Sequence, residues 1–243
     1  RIDPMFAAIP ELKGVITDRR SKDASNTTLM KEFQGGVLVL TGANSAIGLR
    51  SMPVRYIFLD EIDAYKGDVE GEGDPVNLAI KRTSTFNRRK IFMVSTPTIQ
   101  SVSRIEYEYE QSDQRHYMVP CPYCNKRQLL KWKQIHWEND DPQTAVYICE
   151  YCGGIIEEHH KTWMLENGIW EKSNPSSKIA GFHLSSLYSP VGWFSWADAV
   201  KQFLDAKNKD NLLKVWVNTV LGETWLEKGE APEWQGLFDK SED

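Results

Sequence analysis

Two adjacent carboxylates, Asp60 and Glu61, follow directly on four apolar residues, Tyr56, Ile57, Phe58 and Leu59. A carboxylate is expensive to bury, so an acid pair delivered by an apolar run needs a cation or a polar partner. In open parallel sheets, ligands gather beyond the carboxyl ends of the strands. Asp60 is therefore read as part of the shell of a Mg2+ ion carried by a nucleotide, a hard cation held by one or two carboxylates, waters and phosphate oxygens. Glu61 is read as the base that orients and deprotonates an attacking water. The bland alternative is a strand end whose acids face water or pair with Arg55. The next apolar run, residues 91–94, ends in Ser95, Thr96 and Pro97. Hydroxyls there can contact a γ-phosphate or its water, although such residues also commonly just turn a chain.

The second chemistry belongs to the cysteines. Cys121-Pro-Tyr-Cys124 and Cys149-Glu-Tyr-Cys152-Gly-Gly are two C-x-x-C knuckles separated by 24 residues, and together they use all 4 cysteines of the chain. Each knuckle offers two soft thiolates from one tight turn, the arrangement tetrahedral Zn2+ requires. The competing reading is two disulfides, less suited to a chain with an intracellular look. His116, His136, His159 and His160 flank the knuckles but are not needed as ligands. The ribbon is expected to brace the fold, with contact to DNA or protein as the alternative.

The elements that must position these groups alternate in the manner of α/β architecture. Residues 37–40, 56–59 and 91–94 read as strands buried on both faces. Between the last two, residues 75–86 place Val76, Ala79, Ile80 and Thr83 at helical spacing. A further strand is expected over residues 179–188. A helix opens at Ser195 with Asp198 three residues on, a capping-box pattern, and presents Trp196, Val200, Phe203 and Leu204. Another starts near Asn211, presents Leu212, Leu213, Trp216 and Val220, and stops near Gly222. All 9 tryptophans lie at or after Trp132, and the aromatics of these two helices read as core. From Glu227 the chain reads as a linker.

The 243 residues carry a net charge of −5 with 41% hydrophobic and 26% charged residues, which excludes disordered and collagen-like classes. No whole-chain basic footprint is present. Lys81 with Arg82, Arg88-Arg89-Lys90, and Lys126 with Arg127 are local clusters that could meet phosphates or simply face solvent. No apolar run approaches the roughly 20 residues that span a bilayer, and no charged-then-apolar leader opens the chain. A soluble, non-exported protein without a membrane partner is expected.

A G-x-x-x-x-G-K-[ST] phosphate loop is missing. Gly42 and Gly48 have five residues between them, with Leu49 where lysine is required, and Gly71-Glu72-Gly73 carries a repelling carboxylate. The chain opens at Arg1 without an initiator Met, and it reads as starting inside a longer product whose earlier strand holds the loop. On that reading the isolated chain hydrolyses ATP negligibly.

Several stretches together resemble one family: Phe33-Gln-Gly-Gly36, Thr41-Gly-Ala-Asn-Ser45, Leu59-Asp-Glu-Ile-Asp63, Gly71-Glu-Gly-Asp-Pro75, Ser95-Thr-Pro-Thr98, the two knuckles, and Gly181-Phe-His-Leu184. In order and spacing the series is similar to the large terminase subunits of tailed phages, lambda-like branch, over residues 1–226. The resemblance implies a P-loop NTPase of the ASCE/RecA-like type, its parallel sheet lacking the Walker A strand, with an inserted four-cysteine zinc ribbon and C-terminal helices. Asp60 and Glu61 take the Walker B roles, and Ser95 and Thr96 the coupling motif. ATP, Mg2+ and Zn2+ are the implied cofactors.

The implied activity is ATP-driven packaging of double-stranded viral DNA into a procapsid, coupled to endonucleolytic cutting of concatemers. The implied partners are the small terminase subunit, the portal protein and further copies of the chain, in the host cytoplasm. The expected division is 1–116 for the ATPase core, 117–160 for the ribbon, 161–226 for the remainder of the ATPase domain and 227–243 as a linker, with the nuclease downstream of about residue 240. Two other readings compete. A superfamily 2 helicase is one, because Asp60-Glu61-Ile62-Asp63 is a D-E-x-D box. A non-enzymatic zinc-ribbon adaptor is the other.

Overall fold

The computed structural model describes residues 2–12, 15, 27–45, 48, 49 and 52–227. The expected linker beyond residue 227, and Ala46, Ile47 and Arg50 of the Gly42–Gly48 region, lie outside these residues. Two compact units make up the chain, one from Arg1–Leu59 and Ala64–Phe92, the other from Asp60–Asp63 and Met93–Asp243.

In the first unit, α1 (Ile2–Ala8) precedes an antiparallel hairpin of β1 (Met30–Phe33) and β2 (Gly36–Val39). Gly35 turns the hairpin at φ 87°, and the Phe33 ring fills the space that a Cβ on Gly36 would need. The run at residues 37–40 is therefore not a strand buried on both faces; Gly36, Val37 and Val39 are exposed. Its nearest strand-forming neighbour is its own antecedent, reached by a short turn.

β3 (Tyr56–Asp60) and β4 (Lys90–Val94) form a separate two-stranded sheet. These runs also depart from the expectation of full burial. Burial alternates along each, so that Leu59 is buried while Phe58 is 73% exposed and Phe92 54%. Among the described residues, only one face of this pair is covered. Among the described residues, the strands thus belong to four small sheets in a mixed α/β chain and form no single continuous parallel sheet.

α2 (Pro75–Lys81) starts where Asp74 accepts the Asn77 N–H at 2.9 Å, with Pro75 at a position that has no N–H to lose. Val76, Ala79 and Thr83 are buried, as their spacing predicts. The helix stops at Lys81 and does not reach Phe86. The hydroxyls of Thr83 and Ser84 donate back to the carbonyls of Ile80 and Lys81, both at 2.8 Å, and take the chain into turns.

In chain order the second unit holds α3 (Arg104–Glu110), β5 (Arg115–Pro120), β6 (Arg127–Gln128), β7 (Ile135–Glu138), β8 (Asp141–Ile148) and β9 (Ile155–Ile156). There follow α4 (Lys161–Glu166), β10 (Ile169–Lys172), β11 (Phe182–His183), α5 (Trp196–Ala206) and α6 (Asp210–Trp216). β5 is the hub of one sheet, pairing antiparallel with β10 and β6 and parallel with β11. β7, β8 and β9 form an antiparallel meander.

Of the strand expected at 179–188, only Phe182 and His183 pair. Leu187 and Tyr188 are instead turned into the core by a 3-10 turn, where the Tyr188 hydroxyl donates to the Tyr117 carbonyl at 2.8 Å and accepts from the Leu130 N–H at 2.7 Å. Gly181 has no room for a side chain, because Ser112 stands where its Cβ would lie.

The capping box at Ser195 and Asp198 forms as read. α6 continues into a single π turn, Val217–Leu221, ended by Gly222 at φ 65°. One core joins the cysteine-bearing hairpins to these helices, uniting Val119, Cys121, Tyr147, Cys149 and Ile156 with Trp196, Val200, Trp216 and Val220. The buried indoles are satisfied: Trp196 donates to the Leu187 carbonyl at 3.0 Å and Trp216 to that of Ala199 at 3.1 Å. No helix among the described residues is long and apolar enough to cross a membrane.

Asp113, in the turn after α3, clamps the strands of the β5 sheet. It is buried, accepts from Arg115 Nε at 2.9 and 3.0 Å and from the Gly181 N–H at 3.1 Å, and pairs with Lys172 at 3.3 Å. The Arg115 hydrogen bond, opposed by burial and helped by Gly181 and Lys172, holds its carboxyl down to about 2, from an ordinary 3.8. A depressed carboxylate contributes stability that is complete above its unfolded pKa and is lost as pH falls through the folded one. Thermal melts should therefore show Tm falling between about pH 4 and pH 2, and Asp113→Asn should flatten that part of the profile. An unchanged slope in the variant would remove Asp113 from the account.

Candidate functional site: an acidic strand end and a four-sulfur centre

Asp60 is the last residue of β3, and Glu61 follows in the left-handed region at φ 55°. That conformation is strained for a residue with a side chain, and such strain concentrates at functional sites. Both carboxylates are exposed, and among the described residues neither is held in an ion pair. Arg55, the partner offered by the bland reading, is engaged elsewhere: its guanidinium lies 5.1 Å from the Tyr56 ring centroid, and Nε donates to the Arg88 carbonyl at 3.3 Å.

The chain after the acid pair meets the chain after β4. The Asp63 N–H donates to Ser95 Oγ at 3.2 Å, and that hydroxyl donates onward to the Thr96 carbonyl at 3.1 Å. Asp63 is the residue that sequence reasoning passed over. Its Oδ2 accepts from the hydroxyls of Thr98 at 3.0 Å and Ser103 at 2.6 Å, and its Oδ1 accepts the Ile105 N–H at 2.8 Å. The available signal was the fourth position of the D-E-x-D box followed, 35 and 40 residues later, by two hydroxyl side chains.

Of the weaker phosphate-loop candidates, Gly71-Glu72-Gly73 is already occupied by its own chain. The N–H groups of Gly71 and Gly73 both donate to the Asp68 carboxylate at 2.8 Å.

The cysteines converge. Their four sulfurs lie within 4.8 Å of one another, with Cys121–Cys152 and Cys124–Cys149 separations of 3.8 Å each. Four thiolates about 2.3 Å from a tetrahedral ion stand about 3.8 Å apart, so these spacings fit a metal centre. A disulfide needs about 2.0 Å, and all four cysteines are free.

Two copies of one turn build the centre. The β5–β6 hairpin carries the first knuckle, with the Cys121 N–H on the Lys126 carbonyl at 3.0 Å and the Asn125 N–H on the Cys121 carbonyl at 2.9 Å. The β8–β9 hairpin repeats it, with Cys149 on Gly154 at 2.9 Å and Gly153 on Cys149 at 3.0 Å. Asn125 and Gly153 both take left-handed φ, 59° and 68°. Tyr123 and Tyr151 donate their N–H groups to the sulfurs of Cys121 and Cys149, both at 3.4 Å. Burial pushes the Cys149 thiol up, but the Cys152 and Tyr151 amides and the neighbouring sulfurs of Cys121 and Cys152 outweigh it and hold the thiol low, at about 7. The histidines stand outside the cluster, His160 against the Tyr123 hydroxyl at 3.3 Å and His116 against that of Tyr109 at 3.4 Å.

Residues 1–170 match the model of the phage terminase large subunit gpA, ATPase domain, and residues 179–243 match that of the terminase large subunit gpA, endonuclease domain. The chain belongs to the gpA family of phage terminase large subunits.

Among curated relatives, the terminase large subunit of Enterobacteria phage P21 is 32% identical over 98% of this chain and 41% of its own length. That of Escherichia phage lambda is 29% identical over 99% of this chain and 41% of its own length. The chain therefore spans about two-fifths of the length of these relatives. No solved structure matches it significantly. Membership of the terminase family replaces the helicase and adaptor readings. The endonuclease-domain match reaches back to residue 179, into the segment that the sequence reading gave to the ATPase domain and its linker; nuclease sequence was expected only beyond about residue 240.

Proposed function

We propose that this terminase chain contributes the catalytic acids of a motor that uses ATP to drive double-stranded viral DNA into a procapsid, in a protein that also cuts concatemeric DNA. The observation that carries the reading is the exposed Asp60–Glu61 pair at the end of β3, in no ion pair among the described residues, with Glu61 strained and the post-β4 hydroxyl of Ser95 bonded to Asp63. Adjacent carboxylates of this kind suit a hard cation with phosphate ligands.

Bound magnesium nucleotide would supply the phosphoanhydride to be cleaved and a cation that neutralises the charge developing on it. Asp60 holds a carboxylate oxygen toward that cation, as a Walker B aspartate does. Glu61 accepts a proton from the attacking water and fixes its direction. Ser95 and Thr96 contact the terminal phosphate or its water as a coupling motif. The phosphate grip belongs to a P-loop strand of the same ASCE-type sheet, encoded ahead of these residues.

The four cysteines Cys121, Cys124, Cys149 and Cys152 hold Zn2+, which supplies a cross-link between the two hairpins. In this reading residues 1–116 are ATPase core and 117–160 a bracing zinc ribbon. The working assembly contains further copies of the chain, the small terminase subunit, the portal protein and viral DNA, and acts in the host cytoplasm.

The test uses the full gene product with the small subunit, procapsids, Mg-ATP and linear DNA, and scores DNA protected from nuclease digestion. Asp60→Asn should reduce the protected DNA at least about a hundredfold, the size of a lost charge-stabilising contact at a transition state. Packaging that survives this substitution would remove Asp60 from the metal site.

A further inference from the structure

The segment after the coupling motif is bonded on both sides. On one side the Thr98 hydroxyl donates to Asp63 at 3.0 Å, three residues beyond the proposed metal ligand. On the other, the Thr98 carbonyl accepts Asn218 Nδ2 at 2.7 Å and the Trp225 N–H at 2.8 Å. The contact continues along the chain. Ile99 bridges Trp225 in a parallel β-bridge, and the Gln100 N–H donates to the Trp225 carbonyl at 3.0 Å. Beside it, the Thr224 hydroxyl donates to Glu106 Oε1 at 2.6 Å, while Glu106 Oε2 receives the Ser101 N–H at 2.9 Å. Asn218 is itself buried, 8% exposed, and spans the gap by also donating to the Glu223 carbonyl at 2.8 Å.

Residues 98–106 lie inside the stretch matched by the ATPase-domain model, and residues 218–225 inside that matched by the endonuclease-domain model. The bonds above therefore link a stretch matched by the first model to a stretch matched by the second.

We propose that Thr98 is a positioning residue that transmits the state of the nucleotide site, through Asp63, to the 218–225 segment and so to the endonuclease region. The inference rests on the reading of Asp60 and Glu61 as a nucleotide site. Asp63 is the common anchor, with three donors on one carboxylate and its own N–H on Ser95. A shift of the turn 60–63 on nucleotide binding or hydrolysis would have to move Thr98 or break its bond. Thr98 in turn cannot move without disturbing the Trp225 and Asn218 donors, because a buried amide that loses its acceptor is costly. A short chain of strong, directional bonds with two ends in different functional regions is the kind of element through which coupling passes.

The experiment measures amide exchange over residues 218–225 in the full gene product, with and without a non-hydrolysable Mg-ATP analogue whose binding is followed directly. In the parent, the analogue should change exchange at Trp225 and its neighbours by about tenfold, within the 5–150-fold range of ordinary allosteric coupling. Thr98→Val, which removes only the hydroxyl, should abolish that nucleotide-dependent difference while analogue affinity stays within about threefold of parent, and Thr98→Ser should restore it. A residue with a merely structural role would shift exchange equally in both states. Exchange at 218–225 that ignores bound analogue in the parent, or a full response in Thr98→Val, overturns the proposal and leaves the nucleotide site intact. Failure of the analogue to bind overturns the nucleotide-site reading and this inference together.

Discussion

Stripping metal from the four-cysteine centre is expected to unfold the core of the second unit. Structural zinc supplies on the order of 10 kcal/mol of apparent folding free energy in small metal-dependent modules. That equals the entire net stability of an ordinary domain, about 5–15 kcal/mol. Here two of the four ligands lie in the core, although Cys152 is exposed. Cys121 and Cys149 are buried in the same cluster as Tyr147, Trp196 and Trp216, so loss of the cross-link opens the region on which α5 and α6 pack.

A strong chelator should therefore remove about one metal ion per chain and collapse the near-UV signal of Trp132, Trp196 and Trp216, with Cys121→Ser reproducing the effect. Because the ligands are thiolates, protons compete with metal, and retention should weaken as pH falls. A chain that loses its metal yet keeps its Tm and its tryptophan spectrum would show that packing alone holds the ribbon.

Glu61→Gln is expected to lower ATP turnover by roughly 10²–10⁴-fold in the full gene product, the usual contribution of a positioned general base. The substitution keeps size and hydrogen-bonding capacity but cannot accept the proton. Nucleotide affinity should change little, since the metal ligand in this scheme is Asp60. The left-handed backbone at Glu61 gives a control: Glu61→Gly relieves the strain and also removes the carboxylate. It should be as inactive as Glu61→Gln, although no less stable. Steady-state hydrolysis and equilibrium nucleotide binding, measured on the same preparations, separate the two effects. Turnover retained in Glu61→Gln would mean that another group activates the water.

The candidate site residues stood out in the sequence because the chemistry proposed for them is carried by short patterns. Two C-x-x-C pairs needed only hairpins to bring four sulfurs together, and the left-handed Asn125 and Gly153 after each pair provide those hairpins. The acid pair stood out because four apolar residues precede it. The helix opened by Ser195 was legible for the same local reason, whereas the Asp74 cap and the Ser103-capped helix α3 were not read.

Strand partners were a different matter. An apolar run of four states that a segment can pair, and says nothing of which neighbour it meets or whether a second layer covers it. Residues 37–40 turned back on β1, residues 56–59 and 91–94 kept one open face, and most of 179–188 was drawn into turns by the buried Leu187 and Tyr188.

What the sequence alone determined was thus the family, together with an ordered set of candidate reactive groups. Ligand spacing, capping and apolar runs are local properties of adjacent residues. Only the tertiary structure decided that Asp63 anchors the segment after Ser95, that Thr98 reaches Asn218 and Trp225, and that the ribbon shares one core with α5 and α6. Those contacts join residues that stand far apart in the chain, 35 positions for Asp63–Thr98 and 120 for Thr98–Asn218, and no spacing rule encodes them, because they exist only once hydrophobic burial has fixed which elements lie side by side.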